Sequence, residues 1–423
     1  MQQPERVQKF MRDRFGMFIH FGLYAIPARG EWVQSTERIG AEEYHRYFEQ
    51  FNPTEFNPRE WARIAREAGM QYAVMTAKHH DGFCLFDSAL TDYKSTNTPF
   101  GRDLVREYVD AFRAEGLKVG LYYSLLDWHH PDFPAYGDRQ HPMRGNEAFR
   151  GIPQDFSNYI RYFHGQVREL LTNYGKIDLL WFDFSYQDEQ NDMSGEKWGA
   201  TDLIRMIREL QPEVVLDDRL GRQTGPFPAL QYGDYASPEQ YLPKRGIVDA
   251  QGNALPWEAC VTLNDHWGYC AGDNNYKTAK TVVRSLVECT SKNGNLIVNV
   301  GPNATGRIPE PSAEILRGVG QWMRENGSSI YGCGGVHLEK PEWGRYTGRG
   351  KKLYAHIFDR GIGQIHLEGL AGKVRSARLL ADGSEISTDR PWNEEYNTED
   401  SFLNLRTAGL PDDADTVVEI DLK

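Results

Sequence analysis

The sequence predicts an α/β protein, an irregular (β/α)8-like barrel of the TIM type followed by a small antiparallel β-sandwich. Three observations carry this. A chain of 423 residues exceeds one ordinary domain but fits a barrel of roughly 250 residues or more with a small companion. From Arg14 to about Asn326, short runs that are apolar on both faces alternate with amphipathic stretches, the pattern of buried parallel strands and their covering helices. Beyond Gly335 the runs alternate with period two between turn residues, which is antiparallel patterning. The expected division is 1–335 for the barrel and 336–423 for the sandwich.

Eight runs read as barrel strands: FGMFIHF (15–21), QYAVMTA (71–77), KVGLYYS (118–124), IDLLWFD (177–183), VVLD (214–217), LQYGDY (230–235), WEACVTL (257–263) and NLIVNV (295–300). The helices between them are punctuated. Asn57-Pro58 supplies an N-cap and a first-turn proline, Trp61, Ile64, Ala65 and Ala68 make a stripe, and Gly69 ends it. Asp103 and Gly116 bracket another helix, and Gly175 closes a third that carries Phe163, Val167 and Leu170. No helix pattern separates the fifth and sixth runs, hence the expected irregularity. In the sandwich, KLYAHIF (352–358), GQIHLEG (363–369), VRSARLL (374–380), SFLNLRT (401–407) and TVVEIDL (416–422) read as strands, with turns at Asp382-Gly383 and Pro411-Asp412-Asp413.

Composition narrows the class. Apolar residues are 40% and charged residues 26%, which is globular, and no apolar run is long enough to span a membrane. With 48 basic against 60 acidic residues the net charge is −12, so neither a nucleic acid nor a membrane surface is expected as partner. Five scattered cysteines without a C-x-x-C pair exclude a disulfide framework and a zinc ribbon. The start MQQPERVQKFMRDRF holds no apolar signal segment, so the expected location is cytoplasmic, or periplasmic or secreted if a leader was removed.

Catalytic groups of a parallel barrel sit at the carboxyl ends of its strands. Here those ends hold Ile19-His20-Phe21-Gly22 with Gly30-Glu31-Trp32 in the loop, then Lys78-His79-His80-Asp81, Tyr122-Tyr123-Ser124, Trp181-Phe182-Asp183, Asp217-Asp218-Arg219, Asp234 to Glu239, Trp257-Glu258, and Trp267. A lone strand-end histidine is most often a satisfied core group, and a lone carboxylate a helix cap. Convergence on one face outweighs both. His79 and His80 are adjacent, so on a regular strand they face opposite sides and do not share a metal, and no H-x-H or H-E-x-x-H spacing exists. No G-x-G-x-x-G opens a helix, so neither metal nor organic cofactor is expected. Imidazoles and carboxylates for hydroxyls, with tryptophans for a ring, suit a neutral sugar. The chemistry left is that of paired carboxylates. Asp183 ends an apolar strand on the same parity as Trp181 and is the best nucleophile. For the acid, the residues offer Glu239, Glu258 and Asp234 equally.

At this point the segments RFGMFIHFG, GEW, AKHHDGF, GLYYSLLDW, LLWFD, DDR, DYASPE, WEACVTLNDHWGY and SKNGNLIVNVGPNATGRIP, in this order, resemble glycoside hydrolase family 29, the α-L-fucosidases, over nearly the whole chain. The resemblance implies a barrel plus β-sandwich and exo-hydrolysis of terminal α-L-fucose from fucosylated oligosaccharides or glycoconjugates with retention. It implies Asp183 as nucleophile and Glu239 as acid/base, with Glu258 in reserve. It implies His20, Glu31, Trp32, His79, His80, Tyr122, Trp181, Arg219 and Trp267 as fucose-binding residues. Phe21 stands where tryptophan is common, Pro256 where lysine often precedes Trp-Glu, and Phe184 where glycine is frequent. The competing readings are an exo-glycosidase for a fucose-like sugar such as an α-L-galactoside, and a non-catalytic sugar-binding protein. A homo-oligomer is compatible with all three.

Overall fold

A computed structural model of the chain describes residues 3–187, 192–221, 230–405 and 409–423. Among these residues, strands β1 (Phe15–Ile19), β2 (Tyr72–Lys78), β3 (Lys118–Ser124), β4 (Leu179–Asp183), β5 (Val215–Leu216), β6 (Glu258–Thr262) and β7 (Asn295–Val300) form one parallel sheet. Their order is β5-β4-β3-β2-β1-β7-β6. Every residue of β1, β2 and β7 is buried, as a sheet covered on both faces requires.

Alternation along each strand sends side chains to two different cores. Met17, Met75, Leu121, Leu180, Phe182 and Val298 turn outward into the large core with the helices, which add Trp61, Ala65, Tyr108, Phe163, Val167, Ile207, Leu286 and Val319. Phe18, Val74, Tyr122, Leu179, Trp181, Cys260 and Ile297 turn inward into a second cluster closed from beneath by Phe10. Punctuation follows the sequence pattern. Asn57 caps helix Pro58–Glu67 by accepting from the Glu60 N–H (3.3 Å), and Asp103 caps Leu104–Ala114 through Arg106 N–H (2.8 Å).

The expected sixth strand is not there. Residues 230–235 hold no described strand. Single parallel bridges join Asp217 to Tyr235 and Ala236 to Trp257, spanning the interval between β5 and β6. The local chemistry explains the difference. The chain crosses β5 so tightly at Gly233 that a Cβ there would lie 2.1 Å from the Asp217 carbonyl oxygen. Next to it the Asp234 carboxylate takes the Leu216 N–H (3.0 Å) and pairs with Arg6 (2.7 Å) and Arg208 (2.8 Å). Pro238 has no N–H to give a ladder.

After residue 335, strands β8 (Gly344–Arg349), β9 (Lys352–Ile357), β11 (Val374–Leu379) and β13 (Thr416–Leu422) make an antiparallel sheet in the order β8-β9-β13-β11. A separate antiparallel pair joins β10 (Ile365–Leu367) to β12 (Ser401–Leu403). Strand β8, GRYTGR, carries little apolar alternation and was not expected. Of the run SFLNLRT, Arg406 and Thr407 lie outside the described residues. Leu353, Ala355, Ile357, Leu367, Leu403, Val418 and Ile420 form the core here. Trp322 Nε1 donating to the Asp415 carbonyl (2.9 Å) and Arg284 Nε to that of Ala414 (2.8 Å) tie these strands to the helices of the preceding unit.

Candidate active site

The inward parity that buries Trp181 continues past the strand ends. One pocket at the carboxyl end of the sheet is lined by Phe18, His20, Glu31, Trp32, His79, His80, Tyr122, Trp181, Asp183, Phe184, Arg219, Glu239 and Trp267. All lie well before residue 335.

Two long loops are laced together to form its rim. Gly30 N–H donates to the Tyr269 carbonyl (3.2 Å), Ala271 N–H to that of Ala28 (2.9 Å), and Gly268 N–H to Glu31 Oε2 (2.7 Å). Gly30 sits at φ +85°, and a Cβ would meet the His266 ring at 2.8 Å, so this crossing demands glycine. The lacing puts Glu31 and Trp32 opposite Trp267.

The two adjacent histidines face the same way, against the regular-strand expectation. Strand β2 ends at Lys78 and its register against β3 shifts between Thr76 and Lys78, so alternation is broken before His79. The buried Lys78 ammonium donates to the Leu126 carbonyl (3.0 Å) and pairs with Asp127 (3.2 Å), while Trp128 N–H donates to the His80 carbonyl (2.8 Å). Both rings line the pocket, their centroids 4.1 Å apart.

The network settles two imidazole tautomers. Asn299 Nδ2 donates to the Trp267 carbonyl (2.7 Å), so its Oδ1 accepts from His20 Nδ1 (2.7 Å). Ser124 Oγ donates to the Leu126 carbonyl (2.9 Å) and therefore accepts from His80 Nδ1 (2.6 Å). In each ring Nε2 is left as an acceptor. Burial lowers the His20 pKa to about 3, and burial with the Lys78 charge holds His80 well below its ordinary value. These are neutral rings that accept hydrogen bonds.

The charged part is compact. Asp183 Oδ2 accepts from Tyr122 OH (2.8 Å) and Asp183 Oδ1 from Arg219 Nη1 (2.8 Å). The same Nη1 donates to Glu239 Oε2 (2.8 Å), so twice 2.8 Å, or 5.6 Å, is the most that can separate the two carboxylate oxygens. The guanidinium lies 4.4 Å above the Trp181 ring. Asp183 and Arg219 are almost enclosed, whereas the Glu239 side chain is 40% exposed.

Glu258 and Asp234 are elsewhere. Glu258 is fully buried beneath the pocket, takes a hydrogen bond from Tyr72 OH, and keeps Oε1 unpartnered. Burial raises its pKa to about 7. Asp234 is committed to Arg6 and Arg208. Among the described residues no group of three or more His, Cys, Asp or Glu is arranged to hold a metal ion.

The family model for α-L-fucosidase matches residues 1–328. The chain belongs to the α-L-fucosidases, glycoside hydrolase family 29.

Tissue α-L-fucosidase of Rattus norvegicus is 30% identical over 416 residues, covering 90% of this chain and 83% of that one. Plasma α-L-fucosidase of Homo sapiens is 30% identical, covering 76% of this chain and 68% of that one. Among solved structures, α-L-fucosidase isoenzyme 1 from Paenibacillus thiaminolyticus is 65% identical with a TM-score of 0.96 over 99% of both chains. A family 29 α-L-fucosidase from Bacteroides thetaiotaomicron, solved as a trapped covalent intermediate with 2-fluoro-fucosyl fluoride, is 30% identical with a TM-score of 0.85, covering 100% of this chain and 97% of that one.

One wall residue of this α-L-fucosidase family member, Phe18, was missed as a site candidate. Phe18 lies two positions before His20, so strand parity alone would have found it. Phe184 packs against Trp32 and His80, each ring 5.3 Å away, with its backbone at φ +82°. No sequence pattern announces that conformation in a bulky residue.

Proposed function

We propose that the chain is a retaining exo-α-L-fucosidase, in which Asp183 attacks the anomeric carbon and Glu239 is acid and then base. The observation that carries this reading is the shared Arg219 Nη1, which keeps the two carboxylate oxygens within 5.6 Å. A retaining pair stands about 5–5.5 Å apart, whereas an inverting pair leaves roughly 6.5–9.5 Å for a water. The covalent intermediate trapped in the Bacteroides relative supports the same choice.

In the first step the Asp183 oxygen displaces the glycosidic oxygen, which takes its proton from Glu239. In the second, Glu239 removes a proton from water as that water displaces Asp183 and releases fucose. Arg219 and Tyr122 hold the attacking carboxylate on both oxygens, fixing its direction. Glu239 faces solvent, where a leaving group departs and water enters. Glu258 has neither access, because it is fully buried and lines no part of the pocket.

The acceptor Nε2 atoms of His20 and His80 suit sugar hydroxyl protons, with His79, Glu31, Trp32 and Trp267 completing the ring of contacts. The rings of Phe18, Tyr122, Trp181 and Trp267 form an apolar wall, with Phe18 5.2 Å from Trp181 and 5.8 Å from Trp267. Such a wall suits the C6 methyl of a 6-deoxy sugar and disfavours a hydroxymethyl, which would leave a buried hydroxyl unpaired. We take residues 1–335 as the catalytic unit, with the irregular stave 234–239 completing its barrel, and 336–423 as a β-sandwich that buttresses it.

The test is a hydrolysis screen on aryl glycosides after chelator treatment. Aryl α-L-fucoside should be cleaved with β-anomer never appearing first in the NMR time course, and aryl α-L-galactoside at least tenfold more slowly. Initial release of β-fucose would mean inversion.

A further inference from the structure

Arg219 does not grip either carboxylate with its two-pronged edge, which is the ordinary way a guanidinium meets a carboxylate. That edge is already taken. Nε donates to Ser237 Oγ (3.0 Å) and Nη2 to the Ser237 carbonyl (3.1 Å). The Ser237 hydroxyl has one proton, which goes to Asp218 Oδ1 (2.9 Å), so a lone pair is what it turns towards Arg219. Ser237 and Asp218 are both buried. The close crossing at Gly233 and the bridge from Asp217 to Tyr235 lay this segment along Asp217-Asp218-Arg219 and so hold the relay in place.

We propose that Ser237, held by Asp218, is a positioning residue that denies Arg219 a two-pronged grip on Asp183 or Glu239 and thereby leaves a single nitrogen shared between them. The guanidinium is planar and rigid, so two contacts on one edge fix where the third nitrogen points. Without the Ser237 hydroxyl only the backbone carbonyl of residue 237 still holds that edge, so the group can turn and fork onto one carboxylate, releasing the other. The segment that carries the proton donor thus also carries the part that spaces it from the nucleophile. This inference rests on the roles proposed for Asp183 and Glu239.

The experiment compares wild type, Ser237→Ala, Asp218→Asn and Asp218→Ala. Each is measured for kcat and KM on an aryl α-L-fucoside and for the rate of covalent labelling by 2-fluoro-fucosyl fluoride, read as a mass increase per folded molecule. Ser237→Ala is expected to lose about 10- to 100-fold in kcat and in labelling rate, with KM within about threefold. Asparagine at 218 still accepts the serine hydroxyl and should stay within about threefold of wild type, whereas alanine should follow Ser237→Ala. A purely structural role would lower the melting temperature and leave the labelling rate of folded molecules unchanged. Wild-type labelling and turnover in Ser237→Ala would overturn the inference. If that variant does not fold, equal rates in the two Asp218 variants would do so. Wild type that neither cleaves the fucoside nor takes the label would remove the proposed function itself.

Discussion

Two pairs of acids, one at the pocket rim and one beneath it, are treated in opposite ways. Asp183 and Glu239, at the rim, share a guanidinium nitrogen at 2.8 Å each. Asp217 and Glu258, a layer deeper, are fully buried, and each keeps one carboxyl oxygen without a hydrogen-bond partner. For Asp217, burial and then the neighbouring Asp218 push the pKa well above the ordinary value. For Glu258, burial outweighs the hydrogen bond from Tyr72 and raises it to about 7. Residue type is the same in both layers. What differs is the surroundings: the rim pair has a cation and solvent beside it, whereas burial pushes the lower pair towards the protonated form.

Breaking the rim pair should produce the largest effects. Asp183→Gly should lose on the order of 10^4-fold or more in kcat, because the bond-forming atom is gone. Azide should restore turnover and give the inverted fucosyl azide, seen by NMR. Retained fucosyl azide would place the nucleophile elsewhere. Glu239→Ala should lose about 10²- to 10⁴-fold on fucosylated oligosaccharides, yet keep most activity on aryl fucosides whose leaving group needs no proton. Equal losses on both substrates would count against proton donation. Arg219→Lys keeps the charge but removes the planar fork, so the contacts to Ser237 that aim the shared nitrogen are lost. A drop of about 10- to 100-fold in kcat/KM is expected, and unchanged turnover and affinity would deny Arg219 a place in the pocket.

The rim was largely legible in the sequence because strand alternation is a local rule. Trp181 and Asp183 share a parity, and the structure turns both inward. What was illegible depended on contacts far apart in sequence. The paired orientation of His79 and His80 comes from a register shift between β2 and β3 and from the Lys78–Asp127 pair. The missing sixth strand follows from a backbone crossing that Gly233 permits, and Asp234 is drawn off by Arg6 and Arg208 from two separate helices. The difference in depth between Glu239 and Glu258 did have a signal. Glu258 begins β6, opposite Asn295 at the start of β7, so it points into the lower layer and away from the carboxyl rim. Strand alternation identifies its face, and position along the strand identifies its depth.

The smallest effect on catalysis, and the sharpest on stability, is expected from Glu258→Gln. Glutamine has the shape of the neutral acid, so the hydrogen bond from Tyr72 can persist, and kcat/KM should stay within about threefold of wild type. Stability should respond to pH. A carboxyl raised from 4.5 to about 7 on folding favours the native state when protonated. Its contribution is therefore complete below about pH 4.5 and is lost as pH rises through about 7. At about 1.36 kcal/mol per unit, wild type should lose up to about 3 kcal/mol across that window that the glutamine variant does not lose. Urea denaturation at a series of pH values checks this, and the difference between the two proteins should flatten above about pH 7.5. Parallel pH profiles would mean that Glu258 is solvated and ionised in the native protein. If Glu258→Gln instead abolished cleavage of oligosaccharides while Glu239→Ala stayed near wild type, the proton donor would move to the lower layer. The assignment of Asp183 would be untouched, because its own contacts to Arg219 and Tyr122 do not pass through either glutamate.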